Sequence, residues 1–154
     1  MGRMFTCAFE AVAVTAVQDL FEILAGTNNS LLLHRVKFFQ TTDLQDAQEE
    51  VLRLRIRSGQ TSSGSGGSSG VENPNPVDGS AATAAVLCNN TTQASGGTIV
   101  TNEVLGWNIR VPFDHVFTPE DRPTVKGGRR ATVELVAAPV DSVTISGVLT
   151  WEEL

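Results

Sequence analysis

Val51-Leu52-Arg53-Leu54-Arg55-Ile56-Arg57-Ser58 splits cleanly through its middle into an apolar and a cationic face. Leu52, Leu54 and Ile56 share one side and Arg53, Arg55 and Arg57 the other, the period of two that a half-buried β-strand imposes. The chain around it reads the same way. Residues 5–14 alternate, with Phe5, Cys7, Phe9, Ala11 and Ala13 on one face. Residues 20–24 form a short strand closed by the turn cluster Ala25-Gly26-Thr27-Asn28-Asn29, and Leu31–Gln40 is a long strand. Downstream, residues 81–88, 97–105, 108–113, 130–138 and 142–152 give five more, split by proline and glycine breaks at 117–123, 127–128 and 139–141. Asp43 would cap at most one helical turn in the acidic stretch 42–50. About nine strands and almost no helix predict an all-β fold, an antiparallel two-sheet sandwich of jelly-roll-like form.

The chain has 154 residues and 16.4 kDa, the size of one domain rather than two. Charged residues make up 18% and apolar ones 41%, too little charge and too much apolar surface for a disordered chain. No apolar run approaches the ~20 residues of a membrane-spanning helix, so no membrane partner is expected. A net charge of −6 opposes a nucleic-acid partner, because phosphate contacts need a basic surface.

Composition breaks only at 59–80, where Ser62-Ser63-Gly64-Ser65-Gly66-Gly67-Ser68-Ser69-Gly70 precedes Asn73-Pro74-Asn75-Pro76. Alone, this resembles a flexible linker. The four strands before it have no way to close a core of their own, so it reads as a long surface loop inside a single domain covering 1–154. Gly and Ser offer little to bury. An ordered loop of this kind calls for an outside hold, such as contact with another chain.

Chemistry is sparse. Cys7 and Cys88 are the only cysteines, both in apolar strand-like runs, which fits buried free thiols and leaves a disulfide open. Residues 1–6 lack the apolar core of a signal peptide. Gly2 with Thr6 fits a loose myristoylation pattern, and Asn28-Asn29-Ser30 and Asn90-Thr91-Thr92 fit the glycosylation sequon, matches short enough to arise by chance. His34 and His115 stand alone, without the His-x-His pair and later Glu of a cupin-type metal site. No serine sits in a Gly-x-Ser-x-Gly elbow, and Gly64-Ser65-Gly66-Gly67 lacks the lysine of a phosphate-binding loop. The carboxylate pairs Asp19/Glu22, Asp43/Asp46 and Glu49/Glu50 have nothing to fix their geometry for acid–base or calcium chemistry and read as solvated loop charge. No enzyme, cofactor or metal site is expected.

The arginine row is the sharpest electrostatic feature. Arg53, Arg55 and Arg57 would project about 7 Å apart from one sheet face, where like charges repel unless water or acidic groups separate them. The row is either a solvated outer face or a surface for an acidic partner, whose carboxylates the guanidinium fork suits. Trp107 and Trp151, the only tryptophans, read as core residues or as residues buried at a subunit interface.

Several short motifs occur in a fixed order. They are Thr15-Ala16-x-Gln18-Asp19-Leu20-Phe21-Glu22; Gln48-Glu49-Glu50 leading into Leu52-Arg53-Leu54; the Gly/Ser loop; Asn90-Thr91-Thr92-Gln93-Ala94; Gly106-Trp107-Asn108-Ile109; Pro119-Glu120; and Ser146-Gly147-x-Leu149-x-Trp151-Glu152-Glu153. Together, over nearly the whole chain, they resemble a family of small tailed-bacteriophage virion proteins. The resemblance implies a non-enzymatic head decoration (cement) protein, made in the host bacterial cytoplasm and carried on the capsid exterior. It would assemble as a homotrimer and bind the major capsid protein. Candidate capsid or subunit contacts are Arg53, Arg55, Arg57, Met1, Phe5, Trp107 and Trp151, together with the loop 59–80. The alternatives are another exterior virion module, such as a glycan-binding tail or head fibre, and a degenerate cupin-type enzyme.

Overall fold

Alternating stretches become strands, and the computed structural model, which describes residues 2–42, 50–75 and 79–154, assembles twelve of them into two antiparallel sheets packed as a sandwich. One sheet contains β1 (Arg3–Val14), β3 (Leu31–Gln40), β6 (Asn73–Asn75), β9 (Phe113–Val116), β10 (Thr124–Val125) and β12 (Val143–Glu153). Its order is β10-β3-β12-β1-β6, with β9 also paired to β3. The other contains β2 (Gln18–Leu24), β4 (Val51–Ser58), β5 (Ser68–Ser69), β7 (Ala85–Asn90), β8 (Val100–Asn108) and β11 (Arg130–Leu135), in the order β5-β7-β2-β11-β4-β8.

Eight of the nine expected strands form, and four short ones, β5, β6, β9 and β10, come in addition. The serines of β5 and the asparagines and proline of β6 carry no apolar alternation, and β9 and β10 are too short to show one, so only pairing to a neighbour reveals them. The expected strand at 108–113 is instead a turn. Val111 N–H donates to the Asn108 carbonyl at 3.0 Å, Arg110 N–H to the Asn108 side chain at 3.1 Å, and Pro112 has no N–H to continue a ladder. Alternation in β1 also fails halfway. A bulge between Phe9 and Val12, with Ala11 at φ 51°, reverses the parity. Val12 and Val14 therefore turn inward, and Ala11 and Ala13 are exposed. The capped turn at Asp43 lies outside the described residues.

The core sits between the sheets. Phe9 and Phe38 from one sheet meet Phe21 and Trp107 from the other, with ring centroids 5.0 Å apart for Phe9–Phe21, 5.9 Å for Phe21–Phe38 and 6.0 Å for Phe38–Trp107. Cys7 of β1 and Cys88 of β7 face each other across the sandwich as buried free thiols, Sγ to Sγ 3.9 Å. Gly147 is the middle of β12 and lies between Phe9 and Phe38 in register. A Cβ there would stand 2.8 Å from both rings, so the aromatic layer closes only over a glycine. Gly147→Ala is expected to cost about 1–3 kcal/mol by overpacking, read as a lower urea midpoint; an unchanged midpoint would show that the layer yields freely.

Candidate functional site

The outer face of the β2–β11–β4 region is where the charged residues gather. On this face Asp19 and Glu22 of β2 lie beside Thr132 and Glu134 of β11, which lie beside Arg55 and Arg57 of β4. The face is not solvated: Asp19, Glu22 and Glu134 are all at most 2% exposed. Leaving such carboxylates unpaired would cost several kcal/mol each, and the donors around them are correspondingly dense.

Glu134 answers the arginine row. Arg55 grips it with two parallel bonds, Nε to Oε2 at 3.0 Å and Nη2 to Oε1 at 2.8 Å, and Arg57 Nε lies 2.5 Å from Oε2. The bidentate fork and the shared carboxylate hold two like charges two residues apart without repulsion. The acidic partner is thus a neighbouring strand of the same chain. For Arg55 and Arg57 this corrects both sequence readings, the solvated face and the surface for another protein. Arg53 is the exception. Its side chain is exposed and forms no ion pair among the described residues.

Glu22 organises the Gly/Ser segment. Its Oε1 accepts from Ser63 Oγ at 2.8 Å and Arg130 Nε at 2.9 Å, and its Oε2 from Gly64 N–H at 2.9 Å and Asn90 Nδ2 at 2.8 Å. The segment therefore lies across the outside of the sheet as a strap. It leaves β4 at Gly59, crosses β11 where Gln60 Nε2 donates to Thr132 Oγ1 at 2.9 Å, meets Glu22 on β2, and pairs as β5 with β7. Bridges Ser62–Ser95 and Ser65–Thr92 sew it to the neighbouring loop 91–98. At Gly64 a Cβ would collide with the Thr92 carbonyl, and at Gly67 with the Cys88 carbonyl. Small residues are required because the backbone itself presses onto the sheet. The hold that such a loop needs comes from this chain's own carboxylates, where the sequence reading looked to a second chain. Residues 76–78 of the expected loop lie outside the described residues.

Asp19 has the poorest company. Its Oδ2 accepts Ala94 N–H at 2.7 Å and its Oδ1 lies 3.4 Å from Gln93 Nε2. Burial, aided by the charges of Glu134 and Glu22, pushes its carboxyl up to about 7 against the pull of the Ala94 N–H and Arg57. Asp19 and Glu22 are thus buried ligands of the strap and its neighbour, not the solvated charges expected. Asp43, Asp46 and Glu49 lie outside the described residues.

The remaining candidates are dispersed. Phe5 and Trp151 are fully buried and stack at 5.8 Å; Trp107 is 2% exposed and donates Nε1–H to the Val111 carbonyl at 2.7 Å. These three belong to the chain's own core, which takes them out of the set of contact residues. Met1 lies outside the described residues. His34 Nε2 is 2.9 Å from Glu152 Oε2, and His115 stands edge-on to Phe117 at 4.7 Å. Among the described residues, no three His, Cys, Asp or Glu side chains are placed to hold a metal ion.

The network predicts two stability effects. Glu134→Ala strands Arg55 and Arg57 over a buried face and is expected to cost about 3–5 kcal/mol in urea unfolding. Because the Asp19 carboxyl is raised in the folded state, its contribution is full below pH ~4 and is lost as pH rises towards about 7. Asp19→Asn keeps an acceptor for Ala94 and removes the charge. Relative to the parent it should gain on the order of 2–4 kcal/mol between pH 5 and pH 8; a difference independent of pH would refute the assignment.

The chain matches no family model, no curated protein and no solved structure.

Proposed function

We propose that this chain is a non-enzymatic decoration protein of a tailed-bacteriophage head, assembling as a homo-oligomer, a trimer by the resemblance, on the exterior of the major capsid lattice. Three lines support the reading. The ordered motifs of the sequence resemble that family. Eight of the strands lie in the orders β9-β3-β12-β1 in one sheet and β2-β11-β4-β8 in the other, an arrangement that suits the jelly roll the resemblance implies. The buried carboxylates of Glu22 and Glu134 are held by several donors of their own chain each, which suits a rigid body better than a reaction site.

The observation that carries the proposal is the edge at β8. The β3 edge is covered by β9 and β10, the β7 edge by β5, and the start of β1 by β6. Beyond β6, β1 is bulged and offers alanines and Glu10. Among the described residues β8 has a partner on one side only; Val51 and Val104, 63% and 67% exposed, share the outer face with unpaired Arg53, and Val100, 52% exposed, stands at the far end of the strand opposite Ser58. A bare strand flanked by valines invites protein contact, by strand addition or by burial of the apolar corner. The fibre alternative loses its platform, because both tryptophans on which a sugar would stack are buried.

Val104→Glu and Arg53→Glu change exposed side chains and are expected to leave the urea midpoint nearly unmoved. Light scattering of the purified protein, then mixing with undecorated capsids, should give an oligomer that binds and raises the capsid disruption temperature. Each variant should weaken binding at least tenfold. A parent protein indifferent to capsids would overturn the proposal.

A further inference from the structure

On another part of the surface the chain gathers three cations, two of which have no carboxylate partner among the described residues. Where the strap leaves β4, it faces the turn that carries the chain from β10 in one sheet to β11 in the other, across an open cleft of about 480 Å³ lined by Thr61, Thr98, Thr124, Lys126, Arg129 and Arg130 among others. Arg130 is engaged, with Nε on Glu22 and Nη1 on the Thr61 carbonyl, both at 2.9 Å. The side chains of Lys126 and Arg129 have no hydrogen bond or ion pair among the described residues. Both are exposed.

The turn holds these two cations together. Arg129 N–H donates to the Lys126 carbonyl at 2.9 Å, which closes a four-residue turn and brings its end residues within ~7 Å at Cα. Gly128, at φ 71°, supplies the left-handed position, and its N–H reaches the Ala25 and Gly26 carbonyls at 3.2 and 3.1 Å. A Cβ on Gly127 would stand 2.7 Å from the Thr27 carbonyl. The turn is therefore braced against the 25–27 loop, and its two charges cannot drift apart by refolding of the backbone. Three of the chain's 11 cationic residues line this cleft in a molecule of net charge −6; among the described residues no carboxylate lines it, and three threonines do. Two like charges anchored on one braced turn, with no counter-charge among the described residues, favour an anion between them.

We propose that this cleft binds a tetrahedral oxyanion, a phosphate or sulfate group, with Lys126 and Arg129 supplying charge and Thr98 and Thr124 neutral donors. Its volume falls within the ~300–1,000 Å³ of small-molecule sites and leaves room for an organic body attached to the anion. The site is independent of the capsid reading, since it shares no residue with the β8 corner.

The test is a titration of the ¹⁵N-labelled protein with inorganic phosphate, inorganic sulfate and glucose 6-phosphate, at ionic strength held constant with sodium chloride. Saturable shifts confined to residues 58–61, 97–98 and 124–130 are expected, with the Lys126→Gln/Arg129→Gln variant at least tenfold weaker and its urea midpoint unchanged. Tighter binding of the ester than of phosphate would assign the site to a phosphorylated small molecule; equal binding would assign it to the free anion. Shifts that never saturate, that spread over the surface, or that persist in the double variant would overturn the proposal.

Discussion

Glu22 and Glu134 are buried on the outer side of a sheet whose inner side already packs the core, and most of what is unusual in this chain follows from that placement. A carboxylate removed from water needs donors on every side. The arginines of β4 provide two from the next strand but one from Glu22, and Arg130 a third from the strand end. In-plane neighbours cannot supply the rest, because donors are also needed from above the sheet. The strap is that upper layer. Its backbone amide at Gly64 and hydroxyl at Ser63 reach Glu22 only because no bulky side chain holds the segment off.

Glycine and serine thus play a different part from the one their reputation suggests. In a linker they leave the chain free; here they let backbone lie against backbone. The conformational entropy lost in fixing such residues is large, and the segment recovers it through charge-assisted hydrogen bonds, each roughly twice as strong as a neutral one. Pairing as β5 and then β6 takes the same segment from the β7 edge of one sheet to the β1 edge of the other. The strap covers a charged face, protects two edges and ties the layers of the sandwich together.

The parts of the fold that were legible in the sequence are those written in alternation. Leu31–Gln40 and Val51–Ser58 have the bounds their patterns announce, because each has one face in the core and one outside it. What was not legible is everything that depends on a partner distant in sequence. The Arg-x-Arg-x-Arg pattern declares a polar face, but the carboxylate that meets it is 79 residues from Arg55. A signal was present in Gln18-Asp19-Leu20-Phe21-Glu22-Ile23-Leu24, where acidic residues are set into a short apolar strand that a solvated edge would not contain. Alternation also misled twice, at the β1 bulge and at 108–113, since a bulge or a proline changes parity without changing composition.

With one portion of the outer face strapped and most edges covered, β8 bears directly on symmetry. Two copies joined edge to edge through β8 would run antiparallel about a two-fold axis, one sheet continuing into the next. Such a contact is self-complementary and closes at two. A trimer has no two-fold axis relating its neighbours, so each interface must join different surfaces of adjacent copies. For the proposed trimer, β8 and its valines must therefore meet some other part of the next chain, or be left for the capsid. A two-fold dimer built on β8 would consume the same valines and remove them from any lattice. The state in solution consequently decides whether this edge belongs to self-assembly or to the partner.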